Sequence, residues 1–138
     1  MQEQDCLSTM KKIWKIGEGK AATAQGASGG ILTWWNSNIY KFVSAIENCH
    51  WLFVEIESLE TQETLWIGNV YGPIIHGCKE ELWTQLEQQI HGTMQFPCII
   101  AGDFNATIYL EEKKGGSKVR DPFGEILEDI INERIKYC

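Results

Sequence analysis

Between Ile31 and Tyr71 the chain is written in short apolar runs separated by turn residues; beyond Gly77 the apolar spacing becomes helical. Side chains repeat every two residues along a strand and about every 3.6 along a helix, so this switch restricts the fold. The runs are Ile31–Trp35, Ile39–Ile46, Trp51–Glu57 and Leu65–Tyr71. In the third, Leu52, Val54 and Ile56 alternate with Glu55 and Glu57. Asn36-Ser37-Asn38 and residues 58–64 supply turns, and the run reads as an antiparallel meander. Lys79 to His91 then places Leu82, Trp83, Leu86 and Ile90 on one helical stripe. Pro97 precedes a compact apolar segment, Cys98–Ala101, that reads as a buried strand ending at Gly102.

The flanks complete the order. Residues 5–16 space Leu7, Met10 and Trp14 as a short helix, broken by Gly17-Glu18-Gly19. Residues 20–30 are small and read as flexible, while Gln2-Glu3 read as the exit of a strand. A polar loop, Glu111 to Arg120, precedes a last helix capped by Asp121 with Pro122 at its first position. Phe123, Ile126, Leu127, Ile130 and Ile131 form its apolar face. Helix, strands, helix, strand, helix predicts a layered α/β (α+β) protein rather than a pure barrel or bundle.

Composition bounds the function. The 138 residues suit one domain, and 43% hydrophobic with 22% charged residues is ordinary for a folded one. Twelve Lys and Arg against nineteen Asp and Glu leave a net charge of −7, a poor balance for general nucleic-acid binding. Positive charge at a phosphate would have to come from a metal ion or from a basic part outside this sequence. The five cysteines form no C-x-x-C pair, and the acidic start is no secretory signal, so an intracellular, reducing compartment, nuclear or cytoplasmic, is expected. Cys49-His50 and His76/Cys78 fit no standard zinc spacing. No apolar run approaches the ~20 residues of a membrane span.

Three constellations can carry chemistry. Ala101-Gly102-Asp103-Phe104-Asn105 delivers a carboxylate and an amide at a strand tip, on one face if the segment stays extended. Such a pair can orient a water and hold a phosphate oxygen; Asp and Asn are equally the residues of an ordinary turn. Asn69 and Tyr71 share a face of the strand that Gly72-Pro73 stops, and Tyr71 can donate to an anion or simply pack in the core. Glu3 offers one carboxylate to Mg²⁺, which accepts few protein ligands and several waters, or is a solvated terminal residue.

In this order, Gln2-Glu3, Ser28-Gly29-Gly30-Ile31, Asn69-Val70-Tyr71-Gly72-Pro73 and Gly102-Asp103-Phe104-Asn105 resemble the endonuclease/exonuclease/phosphatase superfamily. More narrowly they resemble the endonuclease domain of LINE-type (non-LTR) retrotransposons, which the Gly115-Gly116 pair also fits. The resemblance runs from Gln2 to about residue 131, making 1–132 a partial domain of this type and 133–138 an unmatched tail. It implies a four-layer α/β sandwich, two packed mixed sheets with outer helices, and an active site using Mg²⁺ or Mn²⁺ on DNA. Carried over, Glu3 matches the metal-binding glutamate and Asp103 the aspartate that orients the attacking water. Asn105 matches the asparagine on the scissile phosphate, and Tyr71 the tyrosine that hydrogen-bonds it.

The sequence also departs from the pattern. The family opens with an asparagine-bearing strand ahead of the glutamate, for which this chain has no room. Gln4-Asp5 stands where Thr-Lys is usual. The family closes with a serine-aspartate-histidine motif, and all three histidines here, His50, His76 and His91, precede Asp103. The expectation is therefore a phosphodiester hydrolase by descent that is inactive as this chain and binds DNA weakly or not at all. The alternatives are a non-catalytic retroelement remnant serving as an interaction module, or another phosphodiesterase or phosphatase of the superfamily.

Overall fold

The structure, a computed structural model, describes residues 3–23, 30–74, 78–93, 97–106, 115 and 124–135. They divide into two compact units, residues 1–71 with 94–103, and residues 72–93 with 104–138.

The first unit opens with α1 (Glu3–Ile13), which packs along β1 (Glu18–Ala22). The expected strand exit at Glu3 is thus the first turn of a helix. Acidic Asp5 suits the positive end of the helix dipole, and Lys11 and Lys12 suit its other end. β1 occupies the Gly17-Glu18-Gly19 break and the first residues of the stretch 20–30 expected to be flexible. Its sequence, Glu-Gly-Lys-Ala-Ala, has little strand propensity. It becomes a strand by pairing antiparallel with β2 (Ile31–Trp35), from Glu18 opposite Trp35 to Ala22 opposite Ile31. The Gly26–Gly29 stretch between them lies outside the described residues.

β3 (Tyr40–Glu47), β4 (Trp51–Ser58), β5 (Thr64–Tyr71) and β6 (Cys98–Asp103) form a second sheet in that order. The first three are the expected antiparallel meander, and β6 lies parallel to β5 at the sheet edge. β2 is not part of that meander. The turn after it, where the Asn36 carbonyl accepts from the Ile39 and Tyr40 amides, carries the chain from one sheet to the other. Between Phe42 and Ser44 the register shifts, a bulge that bends β3.

The two sheets pack through Ala22, Ile31 and Trp35 on one side and Leu52, Val54 and Ile56 on the other. Trp51, Phe53, Trp66 and Val70, on the opposite face of the larger sheet, are buried as well. The two-stranded sheet packs chiefly on β4 and β5. β6 is therefore not the buried strand expected: Ile99, on the face shared with Ile67, is 57% exposed. This is a mixed α/β protein, as the order of elements predicts, with the two packed sheets that the resemblance implies.

The second unit carries α2 (Lys79–Thr93) and α3 (Gly124–Ile135), which touch each other. Leu82, Trp83, Leu86 and Ile90 are buried along the expected stripe of α2, with Glu80, Glu81, Thr84 and Gln85 exposed. The expected cap Asp121-Pro122, Phe123 and the loop 111–120 apart from Gly115 lie outside the described residues, as do the side chains of Leu127, Ile130 and Ile131. Among the described residues no helix is long and apolar enough to cross a membrane.

Candidate functional site

Because β5 and β6 run parallel, their C-terminal ends reach the same edge of the sheet. The register sets Asn69 beside Ala101, Val70 beside Gly102 and Tyr71 beside Asp103. Alternation then turns Asn69, Tyr71 and Asp103 to one face. They line a cleft of about 290 Å³ with Val70 and with Gly30, Ile31 and Leu32 at the start of β2. Tyr71 is 43% exposed and Asp103 is exposed as well. The Asn69 side-chain amide donates to the Leu32 carbonyl at 3.1 Å, tying the two walls of the cleft together across the sheets.

Gly102 shows why this strand end needs a glycine. Its φ is +147°, and a Cβ there would stand 1.9 Å from the Val70 carbonyl oxygen. Only a residue without a side chain lets β6 approach β5 closely enough to hold Asp103 level with Tyr71. On the other side of Tyr71 stands His50. The Tyr71 amide donates to the His50 carbonyl at 2.7 Å, and His50 Nδ1 lies 3.3 Å from the Tyr71 carbonyl oxygen. The Asn48 side chain accepts from the His50 and Trp51 amides at 2.7 and 2.9 Å and fixes that turn. His50, Tyr71 and Asp103 thus occupy one level across three neighbouring chain segments. Sequence order could not reveal this, because antiparallel pairing puts the residue just before β4 beside the end of β5.

In the second unit, the chain just past Asp103 does not stay extended. Asn105 has φ +47°, in the left-handed region that asparagine tolerates better than most residues. The expectation that Asp103 and Asn105 share a face as an extended pair therefore fails. The Asn105 side-chain amide donates instead to the Gly72 carbonyl at 2.7 Å. Gly72 is buried, and a Cβ there would stand 2.2 Å from the Phe104 carbonyl oxygen. The Lys79 ammonium donates to the Asn105 carbonyl at 2.5 Å, and the Trp83 and Phe104 rings meet at 5.8 Å between centroids. Nothing in the sequence distinguishes Lys79, because a lysine opening an amphipathic helix is ordinarily solvated.

Of the residues singled out in the sequence, the structure brings Tyr71 and Asp103 together. Asn105 follows two residues along the chain, in the second unit. Glu3 begins α1, and its side chain lies outside the described residues. Among the described residues no three His, Cys, Asp or Glu side chains gather as a metal site.

The fold is similar to that of solved endonuclease/exonuclease/phosphatase family proteins. Three solved structures resemble it. An endonuclease/exonuclease/phosphatase family protein of Bacteroides thetaiotaomicron superposes with a TM-score of 0.61 at 13% identity, over 72% of this chain and 45% of its own. The mannosyl-6-phosphatase Bt3783 of the same organism gives 0.58 at 12% identity, over 75% and 48%. The catalytic domain of human Nocturnin, with a bound sulfate anion, gives 0.51 at 15% identity, over 75% and 46%. The chain spans under half the length of each, and at these identities the likeness is one of fold. No protein-family model and no curated protein matches the sequence.

Proposed function

We propose that the chain carries the phosphate-holding side of a phosphodiester-hydrolysing site of the DNA endonuclease type, derived from a LINE-type element. The observation that supports it best is the pairing of Tyr71 with Asp103 at the C-terminal ends of parallel strands, both lining one open cleft. A carboxylate there accepts a hydrogen bond from a water and orients it. A phenolic hydroxyl beside it donates to a phosphate oxygen. Asn105, in the second unit, is the asparagine that the resemblance implies on the scissile phosphate. The proposed domain is residues 1–132, with 133–138 outside it.

Mg²⁺ or Mn²⁺, held through Glu3 and waters, would supply the positive charge that phosphate needs. Asp103 is the carboxylate among the described residues of the cleft, and a site with so few protein oxygens suits Mg²⁺, which keeps several waters, better than a metal needing a full protein cage. A net charge of −7 opposes the DNA backbone. It favours the second reading, a remnant that holds a phosphate group without turning DNA over.

The test is nicking of supercoiled plasmid with Mg²⁺, beside a titration with inorganic phosphate followed through the Tyr71 and Asp103 resonances. The expected result is phosphate binding at the cleft, with cleavage no faster than in Asp103→Ala. Mg²⁺-dependent nicking that disappears in Asp103→Ala would establish an active endonuclease. Cleft resonances indifferent to phosphate would refute the phosphate reading altogether.

A further inference from the structure

The Gly17-Glu18-Gly19 break and the lysines around it lie outside the cleft. They stand at the other end of β2, which carries the chain roughly 13 Å from Ile31 to Trp35. There, within the first unit, is a cavity of about 320 Å³. Its walls include Lys11 of α1, Gly19 and Lys20 of β1, Trp34 and Trp35 of β2, and Phe42 of β3. Trp35 and Phe42 stack, with centroids 5.9 Å apart and planes within 17°. Trp34 is half-buried, and its ring lies over the backbone of Gly17 and Gly19, where any Cβ would strike it. Glycine at both positions is what lets a flat aromatic wall form beside β1. The Trp34 and Trp35 indole N–H groups are buried, yet neither meets an acceptor among the described residues.

Aromatic rings alone suit many ligands; the charges around them narrow the choice. Glu18 is in the wall, and Glu47 stands 3.9 Å from Lys20. Against them are Lys11 and Lys20 in the wall and Lys12 and Lys15 next along the chain. The corner is therefore positive in a protein whose net charge is −7. That disfavours a cation held in an aromatic cage and favours an anion with a flat apolar part. The ligand surface also outruns one ring. Lys12, Ile13, Trp14, Lys15 and Ile16 follow Lys11 as one exposed run, Trp14 by 61%.

We propose that this corner binds a single strand of nucleic acid, with one base stacked in the cavity and phosphates on Lys11, Lys12 and Lys15. The site is separate from the Tyr71–Asp103 cleft and does not depend on the phosphate reading given above. Bases stack on aromatic faces whatever their sequence, and their carbonyl and ring-nitrogen atoms are acceptors of the kind that the two indoles lack. Trp14 offers a second base the same kind of surface. Duplex DNA keeps its bases paired and stacked inside, so it can use the lysines alone.

The experiment is a titration of the whole chain with tetrathymidylate at low salt, followed by tryptophan emission and by the indole signals in nuclear magnetic resonance. The expected result is saturable quenching with shifts at the Trp14, Trp34 and Trp35 indoles. Replacing Lys12→Gln and Lys15→Gln together should flatten the plot of log affinity against log salt by about 1.4, the share of two phosphate contacts on a single strand. Phe42→Leu should weaken binding about tenfold, as for loss of one stacked ring. Phe42 is 43% exposed, so the change is mild for the fold. Should Phe42→Leu not fold, Trp14→Leu alters a more exposed ring and carries the same expectation. Unmoved Trp34 and Trp35 indoles, or an affinity that neither the aromatic nor the lysine changes alter, would overturn the proposal. Equal shifts from inorganic phosphate would overturn it by leaving a simple anion site. Binding to phosphatidylserine vesicles without binding to tetrathymidylate would overturn it in favour of a membrane contact. Shifts confined to Tyr71 and Asp103 would place the strand in the cleft and overturn it as well.

Discussion

Gly102→Ala is the sharpest perturbation of the strand end that carries Asp103. Two effects add at this position. A φ of +147° is strained for any residue with a Cβ, at a cost of about 1–3 kcal/mol. The new methyl would also stand 1.9 Å from the Val70 carbonyl oxygen, backbone that cannot swing aside as a side-chain tip would. Overpacking of this kind costs roughly a further 1–3 kcal/mol. Together about 2–6 kcal/mol would be lost from a domain holding ~5–15 kcal/mol in all. Because β6 is an edge strand, its last residues can relieve the overlap by leaving β5. Asp103 would then no longer stand level with Tyr71. Urea unfolding followed by tryptophan emission measures the stability, and amide exchange at Ala101 to Asp103 reports the local opening. A loss below about 1 kcal/mol together with unchanged exchange at Asp103 would refute the reasoning.

Phe53→Ala removes a fully buried ring from the middle of β4 and should cost about 3–5 kcal/mol in the same urea assay. Asn69→Ala abandons the Leu32 carbonyl and should cost about 1 kcal/mol, with faster exchange of β2 amides as the local signature. Asp103→Asn removes a negative charge from the cleft. In metal-free buffer it should tighten inorganic phosphate binding about fivefold, the ~1 kcal/mol that charges a few ångströms apart exchange near water, as read by calorimetry.

The elements that the sequence by itself determined are those whose cause is local. Leu52, Val54 and Ile56 alternate because a strand buries every second residue, and β4 forms where that alternation lies. Leu82, Trp83, Leu86 and Ile90 fall on one stripe because a helix repeats every ~3.6 residues, and α2 buries them. Tyr71 and Asp103 were legible as strand-end residues for the same reason. What each element pairs with was not legible. β1 has a sequence that forms a strand only because β2 lies beside it, and β2 leaves the meander through a turn that would serve a hairpin equally well. β6 reads as buried from its apolar run, yet its exposure depends on how far the smaller sheet reaches across the larger. Extended spacing put Asp103 and Asn105 on one face, whereas Asn105 is left-handed, its side-chain amide donating to the Gly72 carbonyl and its own carbonyl accepting from Lys79, 26 residues away in the chain. His50 likewise meets Tyr71 across 21 residues. Periodicity records which face of a segment is apolar; it holds no information about which distant segment covers that face, and that second choice, made by the packing of the whole chain, decided the geometry of the site.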